Sequence, residues 1–145
     1  MDVIKENKMK NIDEYLYKYG LHDCVINKTF VQNNLLVFCF EAGVYNLNEK
    51  GKEISKTAKC SMCLNIENLN LEKIWEHIEI SKIYKNKICE IDYEEFADEV
   101  NKFKFEILEN YLSCFGRSVL LEGYTSKCRY QIKISEIVEI EFKFE

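Results

Sequence analysis

The chain has 145 residues, of which 47% are hydrophobic and 31% charged. That balance supplies enough apolar surface for one self-standing core, so one domain over 1–145 is expected and disorder is excluded. A net charge of −5 argues against a nucleic-acid binder, which needs a basic stripe, and favours a basic partner instead.

In chain order, Ile12, Tyr15, Leu16 and Tyr19 recur at helical spacing, with Asn11 to cap, Glu14 three residues on and Gly20 to stop. A first helix is expected over 12–19. The period then changes. Cys24 to Val31 reads as a strand, "QNN" as a turn and "LLVFCF" at 35–40 as a buried strand. "GVYNL" continues the sheet, 48–53 is a charged hairpin loop and 56–66 another strand. Leu71, Ile74, Trp75 and Ile78 suit a helix, whereas the β-branched run to Tyr84 suits a strand. The expectation is a short turn or helix near 70–75 and a strand over 77–84.

"DYEEFADEVNKF" is the clearest helix. Tyr93, Phe96, Ala97, Val100 and Phe103 line one face, and Asp92 caps with Glu95 in the third position. Strands are expected over 104–114, 117–124, 128–135 and 137–144. In the last of these, Val138, Ile140, Phe142 and Phe144 alternate with Glu139, Glu141 and Lys143. The predicted class is α+β: mainly an antiparallel β meander, as a curved sheet, sandwich or partial barrel, with an N-terminal helix and one mid-chain amphipathic helix.

No stretch reaches the roughly 20 apolar residues of a membrane span, and the opening residues carry scattered charges rather than a signal-peptide core. Seven cysteines are an odd number for a disulfide framework. The expectation is a cytoplasmic protein with free thiols, no membrane association and no cofactor.

"KCSMCLNI" contains a CxxC. On a strand, residues three apart point to opposite faces: Cys60 is in phase with Met62, Leu64 and Ile66, and Cys63 is not. No second CxxC and no knuckle glycine follow, so these are read as strand residues rather than metal ligands. His22 and Asp23 in "LHDC" hold the residue types of a general base. Neighbours on a strand point apart, however, so a hydrogen-bonding role at the entry to the first strand is favoured. Glu94, Glu95, Asp98 and Glu99 are read as one acidic helix face, either solvated or a docking ridge for a basic protein. Tyr17, Tyr45, Tyr84 and Tyr124 are candidates for surface anchors. The sequence holds no GxGxxG, P-loop or HExxH.

"LHDC" after a short amphipathic helix, "LLVFCFEAGVYNL" as a strand pair and the run "CRYQIKISEIVEIEFKF" together carry a resemblance. From about residue 12 the chain resembles small β-rich immunity proteins of bacterial polymorphic or contact-dependent toxin systems. Cys24 stands where such sequences carry a small residue such as Ser. The resemblance implies a non-enzymatic binder that neutralises one cognate toxin by occluding its active site. The alternative is a small-ligand-binding β-rich domain with an aromatic-lined cavity.

Overall fold

A computed structural model describes residues 8–9, 18–113 and 117–145. The described strands, in chain order, are β1 (Lys8–Met9), β2 (Tyr19–Gly20), β3 (Val25–Ile26), β4 (Lys28–Gln32), β5 (Leu35–Phe40), β6 (Tyr45–Leu47), β7 (Glu53–Lys56) and β8 (Cys60–Ile66). A short 3-10 helix, Leu71–Glu76, leads to β9 (Ile78–Tyr84) and β10 (Lys87–Ile91). Helix α1 (Tyr93–Phe103) is followed by β11 (Phe105–Ser113), β12 (Ser118–Tyr124), β13 (Arg129–Ile134) and β14 (Ile137–Phe144). The protein is therefore mostly antiparallel sheet with little helix.

Among the described residues the strands form three sheets. Their orders are β1-β14-β8-β5-β4, β10-β9-β13-β12-β11-β3 and β2-β6-β7. The chain changes sheet at identifiable corners. β3 pairs with β11 in the six-stranded sheet, whereas β4, one residue later, pairs with β5 in the five-stranded one. At the corner, Asn27 donates its amide to Cys39 O and accepts from Glu41 N through Oδ1. A second corner lies at Ser135–Glu136, between β13 and β14, where Glu136 takes a left-handed conformation at φ 59°.

Alternation fills the interior. Leu36, Phe38 and Phe40 of β5, Met62 and Leu64 of β8, and Ile140 and Phe142 of β14 are buried on the five-stranded sheet. Ile80, Leu121, Tyr130, Ile132 and Phe105 are buried on the six-stranded one, and all join one cluster. Each such side chain contributes about 1.5–3 kcal/mol through its removal from water. Phe96 of α1 meets Phe105 and Tyr130 edge-on at 5.6 and 5.5 Å between ring centroids. Gly123 makes room for that triad, because a Cβ there would lie 2.5 Å from the Phe105 ring.

Helix α1 forms as its cap and spacing require: Asp92 accepts the Glu95 amide at 2.8 Å, and Tyr93, Phe96 and Val100 face inward. Phe103 departs from the expectation and is exposed, because the helix ends there and Lys104 turns the chain at φ 61°. α1 is stitched to β4 by Thr29, whose hydroxyl donates to Val37 O and contacts Tyr93 Oη, each at 2.9 Å.

Three other differences concern element limits. The expected helix over 12–19 falls outside the described residues except at its end, where Tyr19 and Gly20 pair with β6 instead. The strand expected over 56–66 begins later, as β8 at Cys60, and a separate strand, β7 (Glu53–Lys56), precedes it. Strand β10 was not anticipated; its five residues are exposed or half-exposed and carry no core alternation.

Candidate functional site

The 3-10 segment places the least expected surface. Asn70 caps it by accepting the Glu72 amide at 2.9 Å, and Lys73 breaks the helical path at φ −130°, ψ 42°. So short a turn cannot bury a whole apolar face. Ile74 packs against the core, while Leu71 and Trp75 stay 66% and 64% exposed.

Trp75 stands between two depressions. The larger is a groove of about 800 Å³. Phe30 and Val31 of β4, Leu71 and Ile74, and Tyr93 and Ala97 of α1 line it, with Asp92, Glu94 and Asp98 among its polar residues. Trp75 also borders a pocket of about 200 Å³ lined by Ile78 and Ile80 of β9 and Ile91 of β10, with Glu79 and Glu90. Every charged side chain in the two linings is a carboxylate. An indole beside carboxylates suits a cation carried on an apolar segment, through cation–π contact, apolar burial and Coulomb attraction together.

The four acids expected to share a face divide between two environments. Glu94 and Asp98, one turn apart, line the groove and are exposed. Glu95 and Glu99, also one turn apart, face Lys82 of β9 at 3.7 and 2.9 Å. Tyr130 donates its hydroxyl to the remaining oxygen of Glu99. The reason is the 100° step of the helix: neighbours 94 and 95 flank the buried Tyr93–Phe96 stripe on opposite sides.

His22 and Asp23 correct the expectation that they point apart. They lie in a turn rather than a strand, and Asp23 is left-handed at φ 64°. His22 Nε2 comes within 3.3 Å of Asp23 Oδ2, and Nδ1 donates to Leu108 O at 2.6 Å. That main-chain bond, foremost, holds the His22 pKa above its ordinary value, aided by Asp23, Glu109 and Glu53 against slight desolvation. Both ring nitrogens are engaged, and the Asp23 amide donates to Ile107 O at 2.8 Å. The pair thus fastens the 22–23 turn to β11.

Cys60 shares the buried face of β8 with Met62, Leu64 and Ile66, and Cys63 lies on the other face. Burial pushes the Cys60 thiol up to about 11, and also raises Cys24 and Cys63. Among the described residues no three or more His, Cys, Asp or Glu gather as a metal-holding group. His77, buried beside the second sheet corner, has Nδ1 2.9 Å from Glu136 Oε1, an ion-pair distance without hydrogen-bond alignment.

The groove could have been found from sequence by one signal. Trp75 and Leu71 lie four apart in "NLNLEKIWEHI", where a single turn cannot bury both. Among the described residues no helix is long and apolar enough to cross a membrane. No protein-family model, no curated protein and no solved structure matches the chain.

Proposed function

We propose that the chain is a non-enzymatic protein-binding module of the immunity type, which acts in the cytoplasm by occluding the active site of a cognate toxin. The groove beside Trp75 is its docking surface, and a Lys- or Arg-bearing apolar segment of the toxin is the occupant. One observation supports this above the others: an exposed tryptophan and leucine over an apolar groove whose charged lining is entirely acidic. Tryptophan is among the commonest interface hot spots, and acidic rims accelerate capture of basic partners.

The test is co-expression with the C-terminal region of the protein encoded immediately upstream, followed by binding kinetics on the purified pair. Growth rescue and a one-to-one complex are expected. Trp75→Ala should then speed dissociation by about thirtyfold, as a hot spot near 2 kcal/mol requires. Glu94→Lys with Asp98→Lys should slow association at low salt. Neither toxicity nor a complex, or a complex indifferent to both changes, overturns the reading.

A groove of about 800 Å³ also lies within the usual span of small-molecule sites, roughly 300–1,000 Å³. This favours ligand binding as the second reading. Native mass spectrometry of the purified chain, with a copurified apolar cation as the positive result, separates the two.

A further inference from the structure

The β9–β10 hairpin carries a second depression at its far end. The groove end of β9 is Ile78–Ile80, and the seven-residue strand reaches Tyr84 roughly 20 Å away. There, the 85–86 and 125–128 turns border an open, shallow depression of about 640 Å³. Its charge is reversed: the charged side chains in its lining are Lys85, Lys127 and Arg129, with no carboxylate among them. The chain as a whole has 25 acidic and 20 basic residues, so this is a local inversion.

Lysines at hairpin tips are ordinarily solvated charges, but Arg129 is placed differently. It occupies a ladder position opposite Ile83 on one side and Tyr124 on the other. Arg117, the chain's other arginine, pairs with Glu67 at 3.2 Å. Among the described residues no carboxylate lies within ion-pair distance of Arg129, Lys85 or Lys127. The two ammonium groups lie instead over the rings of Tyr84 and Phe103, at 5.3 and 5.4 Å. Glu106 lies beside the site, close enough to raise the Tyr124 pKa.

The frame is ordered. Lys85 and Asn86 are both left-handed, as a tight two-residue hairpin turn requires. Thr125 Oγ1 accepts the amides of Lys127 and Cys128 at 3.1 and 3.3 Å, fixing the opposite turn. Tyr84 and Tyr124, 53% and 40% exposed, flank the opening.

We propose that this pocket binds the phosphate and base of a nucleotide, independently of the Trp75 groove. A guanidinium fork matches two phosphate oxygens, the two lysines neutralise further charge, and the exposed Tyr124 ring offers a stacking face. A free nucleotide and a single-stranded nucleic acid share this chemistry, and the test separates them.

The full chain, 15N-labelled, is titrated at low salt with ADP, adenosine, inorganic phosphate and an oligothymidylate of about ten nucleotides. ADP should shift the amides of 84–86 and 126–129 and saturate, whereas adenosine should bind about tenfold more weakly for want of charged hydrogen bonds. Arg129→Gln should weaken ADP by about tenfold, with Arg129→Lys between, and Trp75→Ala should change nothing. Tighter, equally Arg129-dependent binding of the oligonucleotide assigns the polymer as the source. Shifts that fail to saturate by about 10 mM ADP, that centre elsewhere, or that ignore Arg129→Gln overturn the site.

Discussion

Lys82 on β9 holds the carboxylate of Glu99 on α1 at 2.9 Å, and Tyr130 on β13 donates to that carboxylate's other oxygen. Both ionic side chains are mostly covered, at 23% and 16% exposure. The Glu99 bond is the main reason that the Lys82 pKa is raised. Helix α1 is thus latched to the six-stranded sheet by a shared carboxylate, in addition to the Phe96 contact. Removing it leaves a buried phenol without its partner and Lys82 with Glu95 at 3.7 Å, so Glu99→Ala should cost about 1–3 kcal/mol. Glu94→Ala, five residues earlier on the exposed side, should change stability by less than about 0.5 kcal/mol. Urea midpoints of the two variants compare them directly. Equal midpoints would show that the latch carries no stability.

How much of this was legible in the sequence follows from which signals are local. Phe38, Met62, Tyr130 and Phe142 announce their strands by alternation, and Asp92 with Tyr93 and Phe96 announces α1 by cap and spacing, because each signal lies within one element. The division of Glu95 and Glu99 from Glu94 and Asp98 depends on Lys82, which approaches from another strand. The His22–Asp23 contact depends on one backbone angle at Asp23 that adjacent-residue reasoning does not contain. β10 carried no signal because Lys87–Ile91 buries neither face. The two charged depressions are juxtapositions across turns and sheets, and no window of sequence brings Phe30 to Trp75 or Lys85 to Arg129.

The histidine turn yields a pH prediction. The His22 pKa is raised in the folded chain, above all by its bond to Leu108 O. Its stabilising contribution is therefore complete below the ordinary value near 6.5 and is lost as pH rises through the folded value. The stability difference between the wild type and His22→Asn should shrink as pH increases across that window. A proton NMR titration should place the His22 midpoint above 6.5, and Asp23→Asn should lower it only in part, because Leu108 O remains. A midpoint at or below the free value would remove the Leu108 bond from the account.

Thiol accessibility separates the cysteines further. Cys89 is exposed on β10, whereas Cys24, Cys60 and Cys63 are buried with raised pKa values. Because the thiolate is the reactive form, iodoacetamide at neutral pH should modify Cys89 before those three, which stay unmodified until the chain unfolds. Peptide mapping after timed quenching reads the order. Early labelling of Cys60 would contradict its place inside β8.

Alkaline conditions should weaken the fold through the same burial. Cys60, 2% exposed, is pushed up to about 11, and Tyr93, 8% exposed, up to about 12, both chiefly by desolvation. In the unfolded chain these groups ionise at about 8.5 and 10, so the unfolded state releases protons first. Their stabilising contribution is whole below the unfolded values and declines as pH rises through the folded ones. Between about pH 8.5 and 12 the loss should reach roughly 1–3 kcal/mol for each group. Urea unfolding at stepped pH under reducing conditions measures it, and Cys60→Ala identifies the thiol's share. That variant has a lower starting stability from the lost packing, and its decline between about pH 8.5 and 10 should be shallower than the wild type's, because only Cys24 and Cys63 of the three buried thiols remain. If both proteins decline in parallel from about pH 8.5, the Cys60 thiol is not held up in the folded chain and its burial adds nothing to the slope.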